Sequence, residues 1–447
     1  QGEGGGTPAS NRQALILRFP AAAVRDAWAE LLETEVKLRI PTLKDFEVLT
    51  PIGRGASGSV FLVKDSRTGN ALALKAIEKP KVFESRSSYR HVVTEKITHE
   101  ACSGRPFIVQ LRYAFQSATR FYLCTDFCEG ADLYYFMQRV GGHLTEPQAR
   151  RVIGEVILAL EDLHARGIVY RDLKPENVFL DSQFHVQLAD FGLAKIIGLG
   201  PNALTSTTCG TMAYVSPEMV GGDGYNFSVD FWTLGIFCYN VLYGYPPFEL
   251  INLDMVQETL VNTKADCRGL SEATTSFIND LLTLNPNERL GCGKGGFADV
   301  KSHPFFDDLD WDALEAKSPH PDNLKNFVAE PVDPEPWKKE YLLRNFDLEP
   351  EEWGDIVLDV TDEVIVESEA AMSSGLDGKR RDFEPGFVAG YTFNYARTDQ
   401  ISDDEGDGPP SGAAAGRMAN SRSWFGRTKT KLRNMGSVTP SNMGEGK

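Results

Sequence analysis

An α+β domain of two lobes, with a cleft between them, is the fold class this sequence predicts, on three observations. From Phe46 the chain runs in short β-type stretches separated by glycine-rich turns. After Gly142 the apolar spacing is mostly helical. Between these patterns and the C-terminus, Tyr170-Arg171-Asp172-Leu173-Lys174-Pro175-Glu176-Asn177 sets a carboxylate, an ammonium and an amide at fixed offsets. A strand-rich part followed by a helix-rich part packs as two lobes whose junction forms a cleft. With 447 residues and 42% hydrophobic content, the chain is long enough for one such domain plus tails.

The elements follow in order. Residues 1–10 are a flexible Gly-rich lead, and residues 21–39 carry Val24, Trp28, Leu31, Leu32, Val36 and Leu38 at a roughly helical period, read as a short helix on the main domain. Strands are expected at 46–52, 60–65 and 71–78, with Thr68-Gly69-Asn70 as a turn. A helix runs from Tyr89 through Thr98, and strands are placed at 108–115 and 121–126. Thr145-Glu146-Pro147-Gln148 reads as a capping box opening a helix whose apolar face is Val152, Ile153, Val156, Ile157, Leu160 and Leu163. Residues 229–248 are the most apolar stretch, but Asp230 and Asn240 interrupt it and Pro246-Pro247 ends it, so it reads as a core helix and not a membrane span. The globular pattern closes near His303-Pro304-Phe305-Phe306. Residues 307–395 are acidic yet keep aromatics such as Trp311, Trp337, Phe346 and Trp353, which predicts a segment wrapping the domain. The expected division is an N-terminal extension at 1–45, the domain at 46–306, the wrapping extension at 307–395 and a disordered tail at 396–447.

A formal charge of −17 argues against nucleic acid as the main partner and suits a basic peptide. The seven cysteines are scattered and never spaced Cys-x-x-Cys, which fits reduced thiols in the cytoplasm or nucleus better than disulfides or zinc. No secretory signal is visible. The chain starts at Gln1 and is expected to be a fragment or processed form. Arg417, Arg422, Arg427, Lys429, Lys431 and Arg433 surround Trp424-Phe425; a solvated tail is the default reading, with an acidic membrane or a partner as the alternative.

Four motifs carry chemistry. Gly53-Arg54-Gly55-Ala56-Ser57-Gly58-Ser59-Val60 lies between strands, where glycines let a hairpin approach phosphates; alone it is weak, and a Rossmann turn would need a following helix. Lys75 sits inside an apolar strand, a phosphate-binding cation if Glu95 reaches across from a helix to orient it. In the octapeptide, Asp172 would accept a hydroxyl proton, Lys174 neutralise a migrating phosphoryl group and Asn177 hold a metal. Asp190-Phe191-Gly192 follows a strand and supplies a second carboxylate for Mg²⁺. Each signal alone is weak, and in this order together they are strong.

From Phe46 to Phe306 the sequence resembles the eukaryotic protein kinases: Ser216-Pro217-Glu218 closes an activation segment, Asp230 and Trp232 open the buried helix, and Arg289 would pair with Glu218. Tyr170 in place of the usual His, Thr207-Thr208-Cys209-Gly210-Thr211, and a tail with Asn345-Phe346-Asp347 and Val388-Ala389-Gly390-Tyr391-Thr392-Phe393 look like the AGC group. The resemblance implies a bilobal protein-kinase fold with a wrapping tail, ATP and Mg²⁺ as cofactors, and nucleotide contacts from Ile52, Gly53, Arg54, Gly55, Ala56, Ser57, Gly58, Val60, Lys75, Thr125, Asp126, Cys128 and Asp132. Thr125 would be the gatekeeper before a hinge at 126–128. Thr207 would be phosphorylated by an upstream kinase and met by His91, Arg171 and Lys195, with Thr392 a further site in a tail segment docked on the small lobe. Glu176 and Asp132 would select arginines in a protein substrate.

Departures touch detail. Ser57 stands where the group carries Phe, Met212-Ala213 replaces Pro-Glu, and Val388 stands where an aromatic is usual, with Phe387 as a shifted substitute. Ser373 and Ser374 are weak candidates for a turn phosphosite, and Cys209 reads as a packed thiol before a redox switch. The expectation is an ATP- and Mg²⁺-dependent Ser/Thr protein kinase, a monomeric catalytic unit. A pseudokinase is disfavoured because every catalytic position is filled, and a small-molecule kinase because the long activation segment builds a peptide platform.

Overall fold

Five antiparallel strands organise the N-terminal part of the computed structural model. The structure describes residues 41–327 apart from 56–57, 201–202, 208, 222–223 and 249–263, together with strands at 364–365 and 393–394. The strands are β1 (Phe46–Gly55), β2 (Gly58–Asp65), β3 (Ala71–Glu78), β4 (Leu111–Ser117) and β5 (Arg120–Asp126), ordered β1-β2-β3-β5-β4. On β3, Leu72, Leu74 and Ala76 are buried while Lys75 between them is not, the period-two signature that places Lys75 on the opposite face. One face of the sheet packs Phe46, Phe61, Val63, Leu74, Phe115 and Tyr122 together. The other packs Ile77, Leu111, Phe121 and Leu123 against Val92 of a helix. At about 1.5–3 kcal/mol per buried large apolar side chain, these clusters hold the small lobe as a unit. The β2–β3 turn is an Asp65-anchored reversal in which the Asp65 carboxylate accepts from Arg67 N at 2.9 Å and Gly69 takes φ 78°.

Helix α1 (Lys79–Phe83) leads to α2 (Arg86–Ala101), whose N-cap Ser85 accepts from Ser88 N at 3.0 Å. The strand expected at 108–115 begins at Leu111, because Phe107 to Val109 pairs elsewhere. Phe107 takes φ 59°, Ile108 bridges Leu188, and Val109 N donates to Leu188 O at 3.0 Å. That apolar run stitches the small lobe to the large one.

The large lobe contains α3 (Leu133–Arg139), α4 (Glu146–Ala165), α5 (Pro217–Gly221), α6 (Ser228–Tyr243), α7 (Glu272–Leu281), α8 (Phe297–Lys301) and α9 (Trp311–Glu315), with strand pairs β6 (Ile168–Val169) to β9 (Lys195–Ile196) and β7 (Val178–Leu180) to β8 (Val186–Leu188). Thr145 N donates to Gln148 Oε1 at 2.9 Å at the start of α4, and the six apolar positions named above are all buried in the main core. Helix α6 is buried nearly all round and stops at Gly244, φ 85°. Among the described residues no helix is long and apolar enough to cross a membrane.

Between Phe306 and Phe327 the chain stays packed. Leu314 and Leu324 are buried, and Lys317 Nζ reaches Asp181 Oδ2 at 3.0 Å. Strands β10 (Val364–Ile365) and β11 (Phe393–Asn394) both add antiparallel to the edge of β4, at Ser117 and Gln116 and at Ala114 and Tyr113. The expected helix at 21–39, the Asn345-Phe346-Asp347 and Val388 to Thr392 motifs, and the tail from 396 lie outside the described residues.

Candidate active site

Strands β1 to β3 form one wall of the cleft. Across the β1–β2 hairpin, Gly53 opposes Val60 and Gly55 opposes Gly58, which places Ile52, Gly53, Arg54, Gly55, Gly58 and Val60 toward its turn; Ala56 and Ser57 lie outside the described residues. Gly58 has no room for a side chain, since an added Cβ would meet the Ala76 carbonyl oxygen at 2.3 Å. Lys75, paired with Val60 and Leu123, places Nζ 2.6 Å from Glu95 Oε1 on α2. Burial alone would lower the Lys75 pKa, but the Glu95 and Asp190 carboxylates outweigh it and hold it above the ordinary lysine value. The ammonium is a fixed positive charge at the cleft.

The opposite wall is the loop after β6. Buried Asp230 on α6 bonds His164 Nε2 and accepts from the backbone N–H groups of Tyr170 and Arg171, each at 2.8 Å. Those bonds hold Arg171 at φ 71°, a left-handed conformation that costs about 1–3 kcal/mol in a non-glycine residue. The loop then delivers Asp172, and three donors converge on its carboxylate. Asn177 Nδ2 lies 2.7 Å and Lys174 Nζ 3.0 Å from Oδ2, and Thr211 Oγ1 lies 3.2 Å from Oδ1. Asn177 Nδ2 also donates to Asp172 O at 2.8 Å, and Lys174 Nζ to Thr211 Oγ1 at 2.9 Å. Asp190 takes φ 48° and is exposed, while Phe191 beside it is fully buried, its ring 4.6 Å from that of His99 and 5.6 Å from that of Tyr170. Burial, aided by the Lys75 charge, pushes His99 down to about 3, so it packs as a neutral ring.

Mg²⁺ is a hard ion that takes few protein ligands and fills its octahedron with phosphate and water oxygens. Asn177 spends its nitrogen on Asp172, which leaves its oxygen as the ligating atom, and Asp190 offers an exposed carboxylate. The donor set fits that ion, and no cluster of three or more His, Cys, Asp or Glu suited to a metal occurs among the described residues.

Thr125 and Asp126 end β5 and lead to buried Cys128 between the lobes; Asp126 is paired bidentately with Arg112 at 2.5 and 2.7 Å. Asp132 caps α3 by accepting from Tyr135 N at 2.8 Å. Burial, together with the negative charge of Glu176, raises the Asp132 pKa. Exposed Glu176 and half-buried Asp132 therefore share one acidic field.

Thr207 is exposed. Of the cations expected to meet it, Arg171 donates Nε to Leu193 O and Nη1 to the Tyr225 hydroxyl, both at 2.8 Å, and Lys195 Nζ lies 2.5 Å from Thr205 Oγ1. His91 is bonded at 3.5 Å to Ser87 Oγ; burial and the Arg171 charge lower its pKa. Thr392 lies outside the described residues, next to β11. Cys209 is half-buried and burial raises its thiol pKa, the opposite of what a reactive thiolate requires. Arg289 clamps Glu218 at 2.5 and 3.0 Å.

Sequence reasoning gave no role to Thr211 beyond its motif, nor to Tyr225 or His99. Only their distance from the catalytic loop in sequence hid them: Thr211 meets Asp172 across 39 residues, Tyr225 meets Arg171 across 54.

Comparison with known proteins agrees with this geometry. The family model described as "Protein kinase domain" matches residues 46–306. "Protein kinase C zeta type" of Oryctolagus cuniculus is 39% identical over 324 residues, 68% of this chain and 54% of that protein. "Atypical protein kinase C" of Drosophila melanogaster is 40% identical over 291 residues, 63% of this chain and 48% of its own length. "Serine/threonine-protein kinase gad8" of Schizosaccharomyces pombe is 39% identical over 302 residues, 67% of this chain and 52% of its own length. The chain spans about half the length of these curated relatives.

Proposed function

The chain belongs to the protein kinase family, in its AGC group, and from that premise we propose that it transfers the γ-phosphoryl group of ATP to Ser or Thr hydroxyls of protein substrates. Kinases of this family use ATP and Mg²⁺. The observation that carries the reading is the convergence of Lys174, Asn177 and Thr211 on the Asp172 carboxylate, with Lys75 locked to Glu95.

Asp172 orients the acceptor hydroxyl and takes its proton, and the three donors fix which way its oxygens point. Lys174, bonded to both Asp172 and Thr211, offsets negative charge on the group in transit. Lys75, held by Glu95, orients nucleotide phosphates, and the β1–β2 hairpin covers them. Asn177 and Asp190 would hold Mg²⁺, which would supply charge neutralisation to the phosphates. Positioning and electrostatics carry the rate, with turnover on the order of 1–100 per second typical. In a radiolabelled-phosphate assay, wild type should label a Ser/Thr peptide and Asp172→Asn should not. Equal labelling by both would overturn the reading.

Three finer assignments rest on the same frame. The shared acidic field of Asp132 and Glu176 supports a preference for arginine upstream of the phosphoacceptor; an arrayed-peptide assay won by acidic or proline-directed peptides rejects it. Arg171 keeps Nη2 free of any hydrogen bond among the described residues, which supports phosphate capture from Thr207 after an upstream kinase acts; phosphosite mapping of active protein tests Thr207 and Thr392. The seven free cysteines support a cytoplasmic or nuclear setting, to be checked by imaging the tagged protein.

A further inference from the structure

Tyr225 is 3% exposed, and its ring packs with Val169, Val215, Met219 and Val229. Its hydroxyl nevertheless sits among polar partners: it accepts from Arg171 Nη1 at 2.8 Å, donates to the Thr207 carbonyl at 2.5 Å and also meets the Cys209 thiol. Its backbone exchanges both hydrogen bonds with Thr205 at 2.8 Å. Gly224, at φ 89°, turns the chain into that bridge. Burial pushes the phenol up to about 12, against the pull of Arg171, so it keeps the proton it donates.

We propose that Tyr225 is a positioning residue for the reaction, its phenol tying the activation segment at Thr207 to Arg171, the residue beside Asp172. The proposal rests on the phosphoryl-transfer reading and deepens it. The segment from 207 to 211 is then fastened at two points: at Thr207 through Tyr225 to Arg171, and at Thr211 directly to Asp172 and Lys174. Both fastenings end on adjacent residues of the catalytic loop. The tie exists with Thr207 unmodified, so it aligns the segment before any phosphate arrives. A phosphate on Thr207 would add a second hold on Arg171 through its remaining nitrogen.

The test is Tyr225→Phe, which keeps the ring in its apolar cluster and removes the bonds to Arg171 and Thr207 together with the Cys209 contact. In a Thr207→Ala background, where no phosphate can form at that position, kcat should fall about tenfold or more with the KM for ATP unchanged, as expected for losing one charge-assisted and one neutral hydrogen bond. In protein phosphorylated at Thr207 the same substitution should cost less. Amide exchange at 203–211 should quicken while that of α6 does not. Unchanged kinetics and exchange would overturn the proposal, as would faster exchange throughout α6, which would mark Tyr225 as structural only. The two readings fail separately: a wild type inactive on every peptide fails the kinase reading, whereas an active wild type matched by Tyr225→Phe fails this one.

Discussion

Replacing Glu95 by Gln removes one charge from the cleft and almost no volume. The wild-type pair is a 2.6 Å contact between side chains only 19% and 6% exposed, so solvent screens it weakly. Gln still offers an oxygen to Lys75, but the attraction between two full charges, about 4 kcal/mol at 4 Å under an effective dielectric of 20, gives way to a charge–dipole bond worth about 1.5 kcal/mol. Lys75 would also be left with Asp190 as its main nearby carboxylate. Together these effects give about 2–3 kcal/mol of lost transition-state stabilisation, or roughly 30- to 150-fold in kcat/KM. Alkaline stability gives an independent arm. Because the folded Lys75 pKa lies above its ordinary 10.5, its contribution is complete below 10.5 and is lost as pH climbs through the higher folded value. In Glu95→Gln the burial of Lys75, its largest influence, outweighs the remaining Asp190 attraction and takes the folded pKa below 10.5, so the variant's stability should rise between pH 8 and 10 where the wild type's stays flat. Steady-state kinetics on a Ser peptide and urea titrations at pH 8 and 10 measure both arms. A variant within threefold of wild type would refute the role given to the pair.

Arg289→Leu should strand the Glu218 carboxylate that the buried guanidinium now clamps, costing about 3–5 kcal/mol and visible as a clear drop in the urea midpoint; an unmoved midpoint rejects this. Thr211→Val removes the hydroxyl joining Lys174 to Asp172 and should lower kcat about five- to tenfold with the KM for ATP unchanged. Glu176→Gln combined with Asp132→Asn should raise KM for an arginine-containing peptide and leave an arginine-free one unaffected; equal effects on both would remove the acidic pair from substrate selection. His99 resists protonation down to about 3 whereas its unfolded form titrates near 6.5, so stability should fall with acidity, by about 2 kcal/mol between pH 6.5 and 5. His99→Phe should flatten that slope in acid denaturation, and identical slopes would show that the ring is not held neutral.

Local periodicity carried much of the fold into the sequence. Period-two burial on β3 singles out Lys75, and the 3.6-residue face of α4 names its core positions. What failed to show was long-range competition for the same apolar run. Residues 107–109 have strand composition and do pair, but with Leu188 of the other lobe, so β4 starts at Leu111. A sequence window contains no term for which partner wins.

The site divides along the same line. Asp172, Lys174 and Asn177 are readable because a carboxylate, an ammonium and an amide lie within six residues, in order with the other three motifs. Their alignment is supplied from far away: Asp230 pins the loop across 60 residues to Tyr170, and Thr211 meets Asp172 across 39. The arrangement also couples parts that look independent. Helix α2 carries Glu95, which orients Lys75, and also His99, whose ring packs 4.6 Å from Phe191, the neighbour of Asp190. A shift of α2 that broke the Lys75 pair would therefore loosen the support of Asp190 in the same movement. On the proposed reading, groups assigned to phosphate and to metal are thus supported by one helix, and the buried, neutral His99 is its contact to the Phe191 side.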